Sequence, residues 1–201
     1  MELTALEMIV SLLFGYLCGT IPFGLLLTKF AGLGDVRQIG SGNIGATNVL
    51  RTGNKLVAAL TLLGDALKGT VPVLVMTHVF GQQAGILAGL AAFFGHLFPM
   101  WLGFKGGKGV ATSIGVLLGL YWPLGVLFIG VWLAVALSVK VSSLSALTAS
   151  LLTPLWAWLL DERALILPAA VLTLAVWITH RANIARLIKG QEPTISLSKK
   201  A

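Results

Sequence analysis

The chain has 201 residues, of which 57% are hydrophobic and 10% charged, with a formal net charge of +7 and a mean hydropathy of +0.93. Its apolar residues run in long blocks rather than in an amphipathic rhythm, which excludes a soluble domain and predicts an all-α integral membrane protein. Blocks of about 20 residues with short loops leave room for roughly six to eight spans, so one membrane domain, residues 1–201, accounts for the whole length. The positive charge would elsewhere suggest nucleic acid, but here it falls between the apolar blocks. Topology and lipid headgroups explain it, and no nucleic-acid partner is expected.

The first apolar run, Met8 to Thr28, is too long for a signal-peptide core and is preceded by Glu2 and Glu7 rather than by basic residues, so it reads as a retained span. Span 1, from about Ala5 to Thr28, carries Gly15, Cys18, Gly19 and Thr20 ahead of Pro22, all small enough for close helix approach. Cys18 has no partner and reads as a small packing residue. A polar loop, Lys29 to Lys55, follows.

Span 2, about Leu56 to Phe80, contains Asp65 and Lys68, which share a helical face and neutralise each other away from lipid. Span 3, Gln83 to Leu102, leads through His96 and Pro99 into Phe104-Lys105-Gly106-Gly107-Lys108-Gly109. The stretch from Val110 to Val139 would be about 45 Å long as one helix, half as long again as a bilayer core is thick. Tyr121-Trp122-Pro123 divides it into spans 4 and 5. Span 6 (about Leu144 to Leu160) and span 7 (about Leu165 to Thr179) are joined by Asp161-Glu162-Arg163.

With seven transmembrane helices, Arg163 is the only Lys or Arg on the far side. Taking 110–139 as one span would place His180 onward, with Lys199 and Lys200, opposite the lysines of 105–109, which the positive-inside rule rejects. The N-terminus is therefore expected outside and the C-terminus in the cytoplasm. Four polar stretches, Gly40 to Arg51, Phe104 to Thr112, Lys140 to Ser145 and His180 to Glu192, then reach the same membrane face.

Gly40 to Arg51 reads GSGNIGATNVLR. Gly42, Gly45 and their neighbours can turn backbone N–H groups toward an anion, and Ser41, Asn43, Thr47, Asn48 and Arg51 offer further donors, a combination suited to phosphate. A plain interhelical loop would explain the glycines but not the clustered polar side chains. The segment formally matches G-x-G-x-x-G, yet no strand precedes it and no βαβ unit surrounds it, so dinucleotide binding is excluded.

Lys105-Gly106-Gly107-Lys108-Gly109 lacks the first glycine and the final Ser or Thr of a Walker A motif. Two lysines on a glycine-rich turn, with Thr112 and Ser113 opening the next helix, still make an anion clamp, and lysines that merely set topology need no glycine. Ser142, Ser143 and Ser145 either cap span 6 or meet a second phosphate. On a continuing helix His180 and Asn183 share a face, as do Asn183 and Arg186, and His180 can serve as general base or phosphate donor. His78 lies toward the outer end of span 2 and His96 is expected to bond within the bundle. The dispersed histidines and the spacing of Asp35, Asp65 and Glu192 suit no metal, no G-x-S-x-G elbow is present, and no cofactor is expected.

Taken in order, SGNIGATNVLR (41–51), DALKG (65–69), GHLFPMWLGFKGGKGVAT (95–112), VSSLS (141–145) and HRANIARLIKGQEP (180–193) resemble the bacterial membrane glycerol-3-phosphate acyltransferases that use acyl-phosphate as donor, the PlsY family. Where the family pattern reads V-S-L-x-S, the outer serines Ser142 and Ser145 keep the spacing, with Ser143 between them. The resemblance implies transfer of an acyl group from acyl-phosphate to glycerol 3-phosphate, giving lysophosphatidic acid and phosphate, the first step of phospholipid synthesis at the bacterial inner membrane. Membrane lipids and the two substrates are its partners, with no obligate protein partner.

Arg51, Lys108, His180 and Asn183 are then the expected catalytic set, receiving glycerol 3-phosphate together with Lys105. Ser41, Gly42, Asn43, Gly45 and Thr47, with Ser142 and Ser145, would hold the donor's phosphate. Asn48, Gly106 and Gly107 complete the binding loops, and Asp65 with Lys68 would brace the glycine loop from below. An acyl-phosphate is a mixed anhydride with a good leaving group, so orientation and charge stabilisation suffice without an enzyme nucleophile. Either His180 or the donor's phosphate takes the proton of the attacking hydroxyl. Two rival readings are a transporter or channel for a small anion, for which the outer half offers only Asp161, Glu162, Arg163 and His78, and a non-catalytic membrane subunit that binds partners through its glycine loops.

Overall fold

The computed structural model describes residues 3–195, so Glu2, Lys199 and Lys200 of the topology argument lie outside the described residues. Every regular element among the described residues is helical. The chain, expected from its length to be one membrane domain, divides into two compact units, one up to Trp122 and one from Pro123 onward.

The first unit contains α1 (Ala5–Gly19), α2 (Phe23–Phe30), α3 (Ala46–Val49), α4 (Lys55–Phe80), α5 (Gln82–Leu97) and α6 (Val110–Leu120). Thr4 starts α1 through a reciprocal cap, its hydroxyl accepting the Glu7 N–H while the Glu7 carboxylate accepts the Thr4 N–H. Span 1 breaks at Thr20–Pro22 because Pro22 has no N–H to continue the ladder. The Thr20 hydroxyl turns back to the Leu17 carbonyl at 2.7 Å, and α2 resumes at Phe23. Asn54 caps α4, its side-chain oxygen accepting the Val57 N–H at 3.0 Å.

α5 lies along α1 and α4, and α6 lies along α4. Lipid gives helices no hydrophobic reason to associate, so these contacts rest on how closely the backbones fit. Gly15 and Gly19 of α1 face the backbone of Ala88 and Ala92 on α5, and Gly115 of α6 faces the Ala66 carbonyl of α4; a Cβ at any of the three would overlap that backbone. Beneath the polar loop, Val36, Ile44 and Val49 are buried with Leu25, Val57 and Ala58, which anchors that loop from its inner side.

The second unit contains α7 (Trp122–Val139), α8 (Ser142–Leu159), α9 (Arg163–Thr179) and α10 (Arg181–Ile188), with α8 packed on α9. The Thr173 hydroxyl of α9 donates to the Ser150 carbonyl of α8 at 2.6 Å. Instead of continuing through His180, the last helix bends there by 63° between α9 and α10.

Among the described residues four stretches are long and apolar enough to cross a membrane, Ala5–Phe30, Lys55–Phe80, Gln82–Leu102 and Trp122–Val139, and the bent α9–α10 pair raises the number to five against the seven expected. The shortfall has local causes. α6 has 11 residues, about 17 Å, which is roughly half a bilayer core. α8 is long enough but carries six Ser and Thr residues, which lower its hydropathy.

Thermal unfolding in detergent checks the backbone-contact account. Gly19→Ala and Gly115→Ala each force two helices apart and are expected to cost about 1–3 kcal/mol, whereas Gly130→Ala, with nothing within 4 Å of its added carbon, should stay within about 0.5 kcal/mol of the parent.

Candidate functional site

The loop from Gly40 to Arg51 is organised by one buried side chain. Asn48, 3% exposed, accepts the Ser41 N–H on its carboxamide oxygen at 3.0 Å, and the Arg51 guanidinium reaches the same oxygen at 3.4 Å. The Asn48 amide nitrogen donates to the carbonyls of Asn43 (2.8 Å), Val36 (2.9 Å) and Ile39 (3.1 Å). Gly42 donates its N–H to the Ile39 carbonyl at 2.9 Å, and Gly45 donates to the Asn43 side chain at 2.8 Å.

The N–H groups of Ser41, Gly42 and Gly45 therefore hold the loop together, where sequence alone placed them toward an anion. Asn48, expected among the substrate contacts, is the internal brace. The glycines answer to backbone conformation: Gly40 and Gly42 adopt φ of +54° and +69°, which side chains rarely tolerate. What the loop turns outward is Ser41, Thr47 and Arg51, all exposed. At its edge Asp35 caps the 3₁₀ turn Val36–Gln38, and hydrogen bonds from the Arg37 guanidinium and backbone hold its carboxyl down at about 2.

The lysine loop is seated on the end of α5. Gly106 donates its N–H to the Leu97 carbonyl at 3.0 Å and Gly107 to the His96 carbonyl at 3.1 Å, while Gly109, at φ +83°, opens α6. Lys105 is exposed and Lys108 half-buried. Thr112 and Ser113, expected to help clamp an anion, are buried inside the helix packing.

Asp65 and Lys68 form an ion pair at 2.7 Å with both side chains 2% exposed. The Lys68 ammonium also donates to the Ile21 carbonyl at the α1–α2 break, 2.8 Å away. His96 Nδ1 stands 3.6 Å from the same Asp65 oxygen. The pair thus reaches the helix break and, through His96, the end of α5; its link to the glycine loop is indirect, by way of α2, whose Gly24 packs against the Ile44 carbonyl. Trp101 donates to the Thr20 hydroxyl and Tyr16 to the Phe98 carbonyl, each at 2.8 Å, so the segment after α5 is stitched to α1.

In the second unit Glu192 gathers the polar residues. One carboxylate oxygen accepts from the Ser143 hydroxyl at 2.8 Å and from the Asn183 amide, and the other accepts Arg186 Nε at 2.7 Å. The chain returns there because Gly190 turns at φ +66°, and the Ile195 N–H then closes on the Lys140 carbonyl at 2.7 Å. His180 Nδ1 lies 2.8 Å from the Val176 carbonyl. A carbonyl only accepts, so Nδ1 carries a proton, and the ring atom left to act as a base is Nε2. Of the serines, Ser143 joins this network, whereas Ser145 is fully buried and gives its hydroxyl proton to the Val141 carbonyl at 2.9 Å. Ser142 is half-buried.

Glu192 is the organising residue of this cluster that sequence reasoning passed over. The signal was a lone acid in a basic stretch, just after a glycine able to turn the chain back. Burial pushes its carboxyl up, but hydrogen bonds from Asn183, Ser143 and Arg186 outweigh that and hold it below its ordinary value of 4.5. A lowered carboxyl stabilises the fold above the unfolded value and stops doing so as pH falls through the folded one. The second unit should therefore lose stability as pH drops below about 4.5, and Glu192→Gln should remove that acid dependence while lowering stability at pH 7; unfolding followed against pH checks both.

A family model for glycerol-3-phosphate acyltransferases matches residues 9–190. The glycerol-3-phosphate acyltransferase of Brucella ovis is 58% identical over 188 residues, covering 94% of this chain and 93% of that protein. That of Mesorhizobium japonicum is also 58% identical over 188 residues, covering 94% and 96%. In three dimensions the chain is similar to crystal structures of PlsY (YgiH), an integral membrane glycerol 3-phosphate acyltransferase. The glycerol 3-phosphate form superposes with a TM-score of 0.89 at 35% identity and the lysophosphatidic acid form with 0.88 at 34%, each covering 94% of this chain and 96% of the other. Matched along nearly its whole length in sequence and in fold, the chain belongs to the glycerol-3-phosphate acyltransferase family.

Proposed function

We propose that the protein transfers a fatty acyl group from acyl-phosphate to glycerol 3-phosphate, releasing lysophosphatidic acid and inorganic phosphate. The observation that carries this reading is that PlsY, a solved relative, is known in a glycerol 3-phosphate form and a lysophosphatidic acid form, an acceptor and its acylated counterpart. The cations Arg51, Lys105 and Lys108, on loops closed by their own hydrogen bonds, suit the acceptor's phosphate. With the loop N–H groups engaged internally, the donor's phosphate falls to the side chains of Ser41, Asn43 and Thr47 and to Ser142. Ser145, its proton committed to Val141, has only lone pairs to offer.

In the reaction a glycerol hydroxyl oxygen bonds to the acyl carbon as the bond from that carbon to the phosphate oxygen breaks, and phosphate leaves with the electron pair. Cations near both phosphates stabilise the charge that shifts onto the leaving group. His180 Nε2, fixed as the basic ring atom by the Val176 carbonyl, takes the hydroxyl proton, and Asn183, oriented by Glu192, positions the acceptor. The protein has seven crossings, N-terminus outside and C-terminus in the cytoplasm, and works at the cytoplasmic face of a bacterial inner membrane, where glycerol 3-phosphate is in solution and an acyl tail in lipid. Arg163 as the single outer cation supports this orientation.

Purified protein supplied with glycerol 3-phosphate and, as competing donors, acyl-phosphate, acyl-CoA and acylated acyl carrier protein should form lysophosphatidic acid only with acyl-phosphate, with one phosphate released per product. Activity only with acyl-CoA overturns the donor assignment, and no turnover in detergent favours an anion transporter. Arg51→Ala, Lys108→Ala and His180→Ala should each lower kcat/KM by about a hundredfold or more, and near-parental rates in all three would sink the site. If His180→Ala alone stays active, the donor's phosphate is the base. For topology, in a Cys18→Ser background, Arg163→Cys should react with a membrane-impermeant maleimide in intact cells and Gln38→Cys should not; the reverse pattern inverts the orientation.

A further inference from the structure

Gly106 and Gly107 do not adopt the positive φ of Gly103 and Gly109 beside them, so a left-handed backbone does not explain why they are glycines. Space does. A Cβ at Gly107 would overlap the His96 imidazole at Nε2, and one at Gly106 would overlap the His96 carbonyl. The loop bearing Lys105 and Lys108 is laid directly on His96, which is 3% exposed, and two backbone hydrogen bonds hold it there.

The opposite side of the same ring faces Asp65, with Nδ1 3.6 Å from Oδ1. Asp65 already has a full cationic partner in Lys68 at 2.7 Å, so neutralising it needs no histidine. An apolar side chain of the same size would also fill the space without burying polar nitrogens. What the imidazole adds is a flat, buried platform packed between the ion pair on α4 and the underside of the loop. A shift of about 1 Å in a charge that orients a substrate is enough to cost a large factor in rate.

We propose that His96 is a positioning residue for the acceptor: packed between Asp65 and the lysine loop, its ring seats Gly106 and Gly107 and so sets the aim of Lys105 and Lys108 at the phosphate of glycerol 3-phosphate. This rests on the reading of the lysine loop as the acceptor's phosphate site. His96 touches no substrate; it acts through the lysines.

Steady-state kinetics of the full chain in detergent, with Lys108→Ala, His96→Ala, their double variant and His96→Asn, test the idea. His96→Ala should raise KM for glycerol 3-phosphate about tenfold while leaving KM for the acyl donor within about twofold. Because His96 acts through Lys105 and Lys108, removing Lys108 takes away part of what His96 positions, so the rise in KM of the double variant should fall short of the product of the two single rises by about threefold or more. His96→Asn keeps a polar group beside Asp65 but ends short of Gly107; it should fold and show the same rise in KM, which guards against a His96→Ala that does not fold. Independent effects that multiply in the double variant, or a parental KM in His96→Asn, overturn the proposal. A parental acceptor KM in Lys108→Ala instead removes the lysine loop from the acceptor site, and the positioning role falls with it.

Discussion

Lys68 carries a full charge into the apolar length of α4, where a lone ammonium would cost several kcal/mol. Asp65 at 2.7 Å and the Ile21 carbonyl at 2.8 Å make it tolerable, and the partners it needs determine how the first unit is arranged. The carbonyl is there because Pro22 breaks the first crossing, and backbone at that depth must be satisfied by protein since lipid offers no partner. Asp65 is placed by helical spacing on α4, and His96 by the length of α5. One ion pair therefore ties the broken helix, the long central helix and the end of the next into a single frame.

Above that frame both polar loops follow a common plan. Asn48 gathers the backbone of 36–51, and the α5 terminus gathers that of 106–107, so their N–H and C=O groups are largely used in holding shape. In the second unit Glu192 does for Ser143, Asn183 and Arg186 what Asn48 does for the glycine loop. Loops closed in this way would lose little further entropy on binding a ligand, which supports the role proposed for the long cationic side chains they carry.

Hydropathy and charge spacing made the helical class, the element order and the polar stretches legible, because burial in lipid requires long apolar blocks and excludes free charge. The motifs also placed Arg51, Lys105, Lys108, His180 and Asn183 on loops or helix ends. Three features were hidden for physical reasons. The break at Thr20–Pro22 depends on a lysine 47 residues away in sequence that supports the freed backbone. The inward use of the glycine-loop donors depends on where the Asn48 carboxamide points, which spacing does not reveal. The place of Glu192 depends on the Gly190 turn, which returns the acid to a helix begun 50 residues earlier, at Ser142. Composition likewise overstated the evenness of the crossings, since α6 is short and the last helix bends at His180.

The glycine-backed crossings of α1, α5, α4 and α6 also bear on how such a sequence can diverge. In a soluble protein the large core residues are the constrained ones, because their burial drives folding. Here Leu62, Leu63 and Leu74 of α4 lie outward at 49%, 53% and 53% exposure, while Ala88 and Ala92 are fully enclosed. On these outward faces the substitution map is thus inverted: bulky apolar positions there can drift among Leu, Ile, Val and Phe at little cost, while the small residues at the crossings record the fold.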